Sequence, residues 1–235
     1  MIIDQLVARL ASPAALIVWG LLGAYGAIEA FLRLLRGIPK LYYWCLYKWR
    51  NRHIAKDFYY KSREASYRIY PDGKTFLYLR KETVVALKDN FSEVPFSFRW
   101  TGEGTVEASI SSGFTMVDAP RIRGQARERK LIHLDNAINK GEECSYTVTV
   151  KCGCDRKQPE PFLGTSASHR IDQLAMRLVF PLENLPRRVS STIQDRDGHE
   201  LDRRAVEDVD LITGEYRIDV KRPDAHTIYQ MEWEY

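Results

Sequence analysis

The 235-residue chain predicts an all-β domain, a β-sandwich or, as the alternative, a β-barrel, carried behind one N-terminal transmembrane helix. Three observations predict this. Residues 10–28 carry no charge, and the stretch 33–63 that follows is strongly basic. From about residue 65 onward, apolar residues recur with period two between clusters of Gly, Pro, Asp and Asn. The expected organisation is a short N-terminal segment over 1–12, a membrane helix over 13–36, a basic aromatic junction over 37–64 and the β domain over 65–235.

A bilayer-spanning helix needs roughly 20 mostly apolar residues. Pro13 to Leu32 supplies 20, with Glu29 the only charge. Ser12 followed by Pro13 is a helix-start signal, a capping hydroxyl ahead of a ring already set for the first turn. Glu29 has Arg33 four residues on as an ion-pair partner near the interface. A signal peptide is basic before its apolar stretch, whereas this chain is basic after it, which favours an anchor. No other stretch of about 18 residues is free of charge, so one span is expected.

Nine Lys or Arg fall between Arg33 and Arg63 against one acid, Asp57. Basic flanks stay in the cytoplasm, so the domain is expected inside and the short N-terminus outside, in the inner (plasma) membrane. Tyr42, Tyr43, Trp44, Tyr47 and Trp49 fit an interfacial aromatic belt. With +8 on 33–63 and −1 on 1–32, the total of +4 leaves −3 for 64–235. A mildly acidic domain argues against general nucleic-acid binding, which needs a basic face to release counterions. The bilayer is the expected partner of the basicity, at about 1 kcal/mol per Lys or Arg near anionic lipid.

Within the domain, SYRIYPDGKTFLYLR alternates around Asp72–Gly73, a strong hairpin signal. Strand-like segments follow at ETVVALK, PFSFRW, GTVEASIS, RKLIHLD, CSYTVTVKC, QLAMRLVFP, RRVSSTIQD, EYRIDVKRP and HTIYQMEWEY. Short strands at this spacing predict a sandwich or barrel. Residues 202–211 offer a short, charged helical alternative. In the last segment Tyr229, Met231, Trp233 and Tyr235 share one alternate face, read as packed core, and a bulge would reconcile Ile228 with it.

Candidate chemistry is sparse. Cys144, Cys152 and Cys154 are an odd number of thiols, and Cys152–Gly153–Cys154 has one intervening residue where structural zinc pairs have two to four, so neither a disulfide framework nor a metal site is expected. GTSASH at 164–169 places Ser166 and Ser168 near His169 but lacks the second glycine of a nucleophile elbow, and it reads as a polar loop. Phosphate-cradling glycine loops are absent from the sequence, and no cofactor is expected. Arg121, Arg123, Arg127 and Arg129, with Lys130, lie in what reads as the longest irregular connection. Arginines grip phosphates through paired hydrogen bonds, so these four are the sequence's candidate site for an anionic small-molecule signal. In the membrane helix, Gly20 and Ala24, Gly23 and Ala27, and Gly26 and Ala30 are each four apart. Small-residue ridges let helices approach closely in lipid, so the chain is expected to self-associate.

One apolar helix, a basic aromatic junction and a β domain without catalytic motifs resemble, in layout, the membrane-anchored effectors of prokaryotic antiviral defence. That resemblance implies a domain that receives a signal, often a cyclic oligonucleotide, and helices that assemble to damage the membrane. The expected function is a non-enzymatic sensor or effector whose β domain binds a ligand or partner. A scaffold recruiting a protein to the membrane and a membrane-tethered enzyme are the alternatives. A concave pocket lined by arginines distinguishes the first, an apolar patch or open sheet edge the second, and convergent His, Asp or Cys side chains the third.

Overall fold

Period-two burial begins at Phe58 and sets the strands. The computed structural model describes residues 57–119 and 128–235. The membrane helix expected at 13–36, with Gly20, Gly23, Ala24, Gly26, Ala27 and Ala30, lies outside them. So do the belt of Tyr42, Tyr43, Trp44, Tyr47 and Trp49, and Arg121, Arg123 and Arg127. Among the described residues no helix is long and apolar enough to cross a membrane.

The domain is all-β. Its strands are β1 (Phe58–Ile69), β2 (Thr75–Ala86), β3 (Phe91–Phe98), β4 (Val106–Ile110), β5 (Phe114–Asp118), β6 (Glu128–Ile138) and β7 (Glu143–Gly153). These are followed by β8 (Phe162–Ser166), β9 (Ile171–Val179), β10 (Arg188–Gln194), β11 (Glu200–Ala205), β12 (Val209–Asp210), β13 (Glu215–Lys221) and β14 (Ile228–Glu234). They form a seven-stranded sheet in the order β12-β13-β9-β1-β2-β7-β4, a four-stranded sheet β11-β10-β14-β8 and a three-stranded sheet β3-β6-β5. All pairs are antiparallel except β1 with β9.

The β1–β2 hairpin is the one the sequence announces. Asp72 Oδ1 accepts from the Lys74 and Thr75 amides at 2.9 and 2.8 Å, and Gly73 takes the left-handed conformation that closes the turn. Of the segment 82–88, residues 82–86 continue β2 rather than forming a strand of their own. At the far end of the seven-stranded sheet, Gly214 has φ +68°, and a Cβ there would lie 2.3 Å from the Phe180 carbonyl oxygen. Glycine is therefore required where the chain turns into β13.

Aromatic contacts join the sheets into one core. Tyr67 on β1 meets Trp233 on β14 at 5.9 Å between ring centroids, and Phe180 meets the same indole edge-on at 5.5 Å. On the three-stranded side, Tyr78 meets Phe98 at 5.2 Å, Phe58 meets Phe91 at 5.2 Å and Tyr146 meets Phe114 at 5.4 Å. Such pairs add about 0.5–1.5 kcal/mol each beyond the area they bury.

Three sequence expectations are corrected. Residues 202–211 are not helical: they form β11 and β12, with charged side chains on an exposed edge. The β14 ladder has no register shift, so Tyr229, Met231 and Trp233 are buried by simple alternation, while Tyr235 lies past the strand end and is half exposed. GTSASH is not wholly a loop, since Gly164, Thr165 and Ser166 belong to β8.

A bulge in β1 has the largest consequence. Its pairing with β2 shifts between Tyr60 and Ser62, so the buried set runs Phe58, Tyr60 and then Arg63, Ala65, Tyr67, Ile69. The extra residue re-aims the strand. It turns Arg63, counted from sequence among the junction's basic residues, into the core, where it is 3% exposed.

Candidate functional site

Arg63, Glu82 and Tyr146 sit opposite one another on β1, β2 and β7. In this row all three side chains belong to the buried face. Glu82 is fully buried, and so requires partners for every lone pair it keeps from water. Arg63 Nε donates to its Oε1, as do Arg80 Nε at 2.8 Å and Nη2 at 2.7 Å. The Tyr146 hydroxyl donates to Oε2 at 2.5 Å. The two guanidiniums continue outward. Arg63 Nη1 donates to the Ser166 carbonyl on β8 at 2.9 Å, and Arg80 Nη1 reaches the Ser97 carbonyl on β3 at 3.5 Å. Arg63 also lies 4.0 Å over the Tyr60 ring and Arg80 4.9 Å over Phe96. One carboxylate thus ties together all three sheets.

The electrostatics follow the geometry. Burial pushes the Glu82 carboxyl upward, but the Arg63 and Arg80 guanidiniums outweigh it and hold the group below its ordinary value. Burial alone would lower Arg80, and the Glu82 carboxylate reverses this and raises it. Burial first and Glu82 second raise the Tyr146 hydroxyl well above the usual phenol range and push Tyr60 up to about 12. Tyr146 is therefore a permanent donor and Glu82 a permanent acceptor at neutral pH. His169 stacks on Phe58 at 4.6 Å, and burial, then the Arg63 charge, lowers it.

Two guanidiniums face one carboxylate, so the cluster carries an excess positive charge. That charge has an outlet. Arg80 lines an open cavity of about 440 Å³, within the range that holds small ligands. Arg99 and Arg196 line it too, with Glu160 and Asp197 as the opposing acids. Tyr67, Tyr78, Phe98, Trp100 and Phe162 supply aromatic wall. The Trp100 indole Nε1 is buried without a hydrogen-bond partner among the described residues.

Of the sequence-derived arginine site, Arg121, Arg123 and Arg127 lie outside the described residues. Arg129 lies on β6, opposite Ser97 of β3, and not in an irregular connection; it is not among the cavity's lining residues. Cys144 and Cys152 stand at opposite ends of β7, eight residues and about 26 Å apart at ~3.3 Å per residue. Cys154 Sγ donates instead to the Lys157 carbonyl at 2.9 Å. A three-cysteine metal site is excluded by that spacing. Asp195, Asp197 and His199 converge in the β10–β11 turn, where Asp195 already accepts from the Asp197 and His199 amides at 2.9 Å each. Sequence reasoning missed Arg80 and Glu82, although both fall in the alternate set of Phe76, Tyr78 and Val84, and this was the available signal.

No protein-family model matches the chain, and no curated protein matches it in sequence. Solved structures share its outline at a distance. A candidate protease from Parabacteroides distasonis is 10% identical, with a TM-score of 0.48 over 77% of this chain and 41% of that one. Leukotriene A4 hydrolase from Saccharomyces cerevisiae is 11% identical, with a TM-score of 0.45 over 76% and 29%. An M1 zinc metallopeptidase from Deinococcus radiodurans is 11% identical, with a TM-score of 0.38 over 75% and 42%. The chain spans less than half the length of each, and likeness at this level bears on neither activity nor partners.

Removing the hub carboxylate leaves two buried cations without their counter-charge. Glu82→Gln is expected to cost about 3–5 kcal/mol of unfolding free energy. Tyr146→Phe, which removes one hydrogen bond to a charged group, is expected to cost about 1.5–3 kcal/mol. Urea denaturation of both variants checks this, and a Glu82→Gln loss below that of Tyr146→Phe contradicts it.

Acid is expected to weaken the fold in two stages. The unfolded His169 takes a proton near 6.5 while the folded ring resists to lower pH, so the unfolded state binds more protons and stability falls as pH drops below 6.5. Glu82 acts in the same sense below 4.5. His199, raised by its hydrogen bond to Asp195, acts in the opposite sense through the upper window. Melting temperatures from about pH 8 to pH 3 should therefore show a smaller drop in the upper window for His169→Gln than for the parent, with the lower drop unchanged. Identical profiles contradict the assignment.

Proposed function

We propose that this chain is a membrane-anchored, non-enzymatic sensor whose β-sandwich domain binds an anionic ligand in the Arg80 cavity. The observation that carries the reading is the unbalanced charge: two guanidiniums on one buried carboxylate, with Arg80 opening onto a cavity that Arg99 and Arg196 also line. A buried cation without full compensation is costly, and a bound anion lowers that cost. Guanidinium forks suit carboxylates and phosphates, and aromatic walls suit a planar or apolar body attached to them.

In this reading the helix at 13–36 holds the domain on the cytoplasmic side, and its Gly20, Gly23 and Gly26 ridge brings copies together. Ligand occupancy alters that assembly, as the layout resembling antiviral membrane effectors implies. A second reading, a scaffold, is favoured by one feature. Leu211 and Ile212, at the tip between β12 and β13, are 68% and 84% exposed. They lie at the Val179 end of β9, beside the far end of β1 from Phe58, where the chain enters the domain.

Inorganic pyrophosphate is the simplest probe. The Arg99→Gln/Arg196→Gln variant of the full chain should bind it about tenfold more weakly or worse, a loss of about 1.4 kcal/mol, at an unchanged melting temperature. Titration calorimetry at physiological salt reads this. Unchanged affinity, or binding that follows Arg129→Gln instead, contradicts the cavity assignment. Loss of crosslinking in Gly23→Ile together with loss of the cellular effect supports the sensor; an unaffected effect favours the scaffold.

A further inference from the structure

The cavity has a second property that an anion site alone does not require. One wall is an unpaired strand edge. The Ala167 amide donates to the Thr227 carbonyl at 2.9 Å, and the Trp233 amide to the Pro161 carbonyl at 3.2 Å. In an antiparallel ladder this fixes the odd-numbered residues of β8 as those bonded to β14 and turns Phe162, Gly164 and Ser166 outward. The Ser166 carbonyl is taken by Arg63, and the Phe162 amide donates to the Glu160 carbonyl at 2.8 Å. The Gly164 amide and carbonyl have no protein partner among the described residues, and Gly164 is exposed and lines the cavity.

Edge strands are normally defended against pairing by charge, proline or brevity. The other described edges are defended. β3 carries Pro95 and Glu93, β4 Glu107, β5 Asp118, β11 a run of charges and β12 Asp210. β8, reading FLGTS, alone has neither charge nor proline. On β3, Pro95 has no amide hydrogen to offer and the Ser97 carbonyl receives Arg80.

We propose that the cavity's ligand is an extended acidic peptide segment that adds a strand to the open edge of β8, pairing its main chain with Gly164 and placing a carboxylate against Arg99 and Arg196. This rests on the anion reading above and names its ligand class. Main-chain pairing at a sheet edge supplies affinity, and the arginines supply specificity for the acid. The Phe162 ring, which a Cβ on Gly164 would meet at 3.7 Å, offers the flanking apolar contact.

Gly164 permits a clean test. Proline there deletes the outward amide hydrogen without removing a bond to β14, and edge strands tolerate it. Alanine there is a control, because its Cβ would meet nothing nearer than 3.7 Å. The full chain in lipid nanodiscs is challenged with two pools of random hexapeptides that differ at one fixed position, aspartate or asparagine. A backbone N-methylated aspartate pool and inorganic pyrophosphate are measured in parallel. Retention of the aspartate pool is expected to exceed that of the asparagine pool by about tenfold or more. N-methylation and Gly164→Pro should each abolish it, while Gly164→Ala keeps it and Gly164→Pro still binds pyrophosphate. Pyrophosphate binding without retention of either pool overturns strand addition and leaves the anion site standing. So does Gly164→Pro retaining peptides like the parent. Equal retention of both pools, lost in Gly164→Pro, overturns the acidic ligand, and the anion reading falls with it when pyrophosphate also fails to bind.

Discussion

The Glu82 carboxylate takes hydrogen bonds from side chains on β1, β2 and β7, and the arginines among them reach on to β3 and β8. No aromatic contact in the core connects as many elements. Apolar packing is non-directional and fixes the spacing of sheets better than their register. The hub supplies direction, because each guanidinium is committed at one end to a carboxylate and at the other to a main-chain carbonyl in a different sheet. Desolvating three charges is expensive, and the arrangement is tolerated because the carboxylate and the phenol are fully engaged and both guanidiniums are shared between acceptors. Arg80, the most exposed member of the cluster, brings positive charge to the cavity wall.

Much of the β architecture was legible in the residues. The Asp72–Gly73 turn, the alternation of 144–152 and the buried face of Tyr229, Met231 and Trp233 are local signals, and local signals survive into the fold. What failed to show did so for identifiable reasons. Arg63 belongs by simple counting to a basic run, and only a bulge, which leaves no clear mark in the sequence, moves it onto the buried face. β8 has five residues with a glycine at its centre, too short and too polar to read as a strand. β11 carries four charges in six residues, because an exposed edge needs protection from pairing more than it needs an apolar face. The site was hardest of all. Its arginines come from β2, the segment after β3 and the β10–β11 turn, so no window of sequence holds them together.

The cavity brings two kinds of unsatisfied group to one place, an incompletely balanced guanidinium cluster and an undefended strand edge. Either alone has ordinary explanations in a folded protein. Together they describe a surface shaped for something both anionic and able to pair through its main chain. The hub links them, since Arg63 takes the last outward carbonyl of β8 and Arg80 reaches the Ser97 carbonyl of β3.

Native-state hydrogen exchange in Glu82→Gln tests the central claim most directly. If the carboxylate joins three sheets, the variant should lose amide protection in concert at Val148 in the seven-stranded sheet, Ile132 in the three-stranded sheet and Met231 in the four-stranded sheet, all buried and none in contact with the substituted side chain through a hydrogen bond of its own. Loss confined to β1, β2 and β7, with Ile132 and Met231 as protected as in the parent, would contradict it and make the cluster a local feature of one sheet.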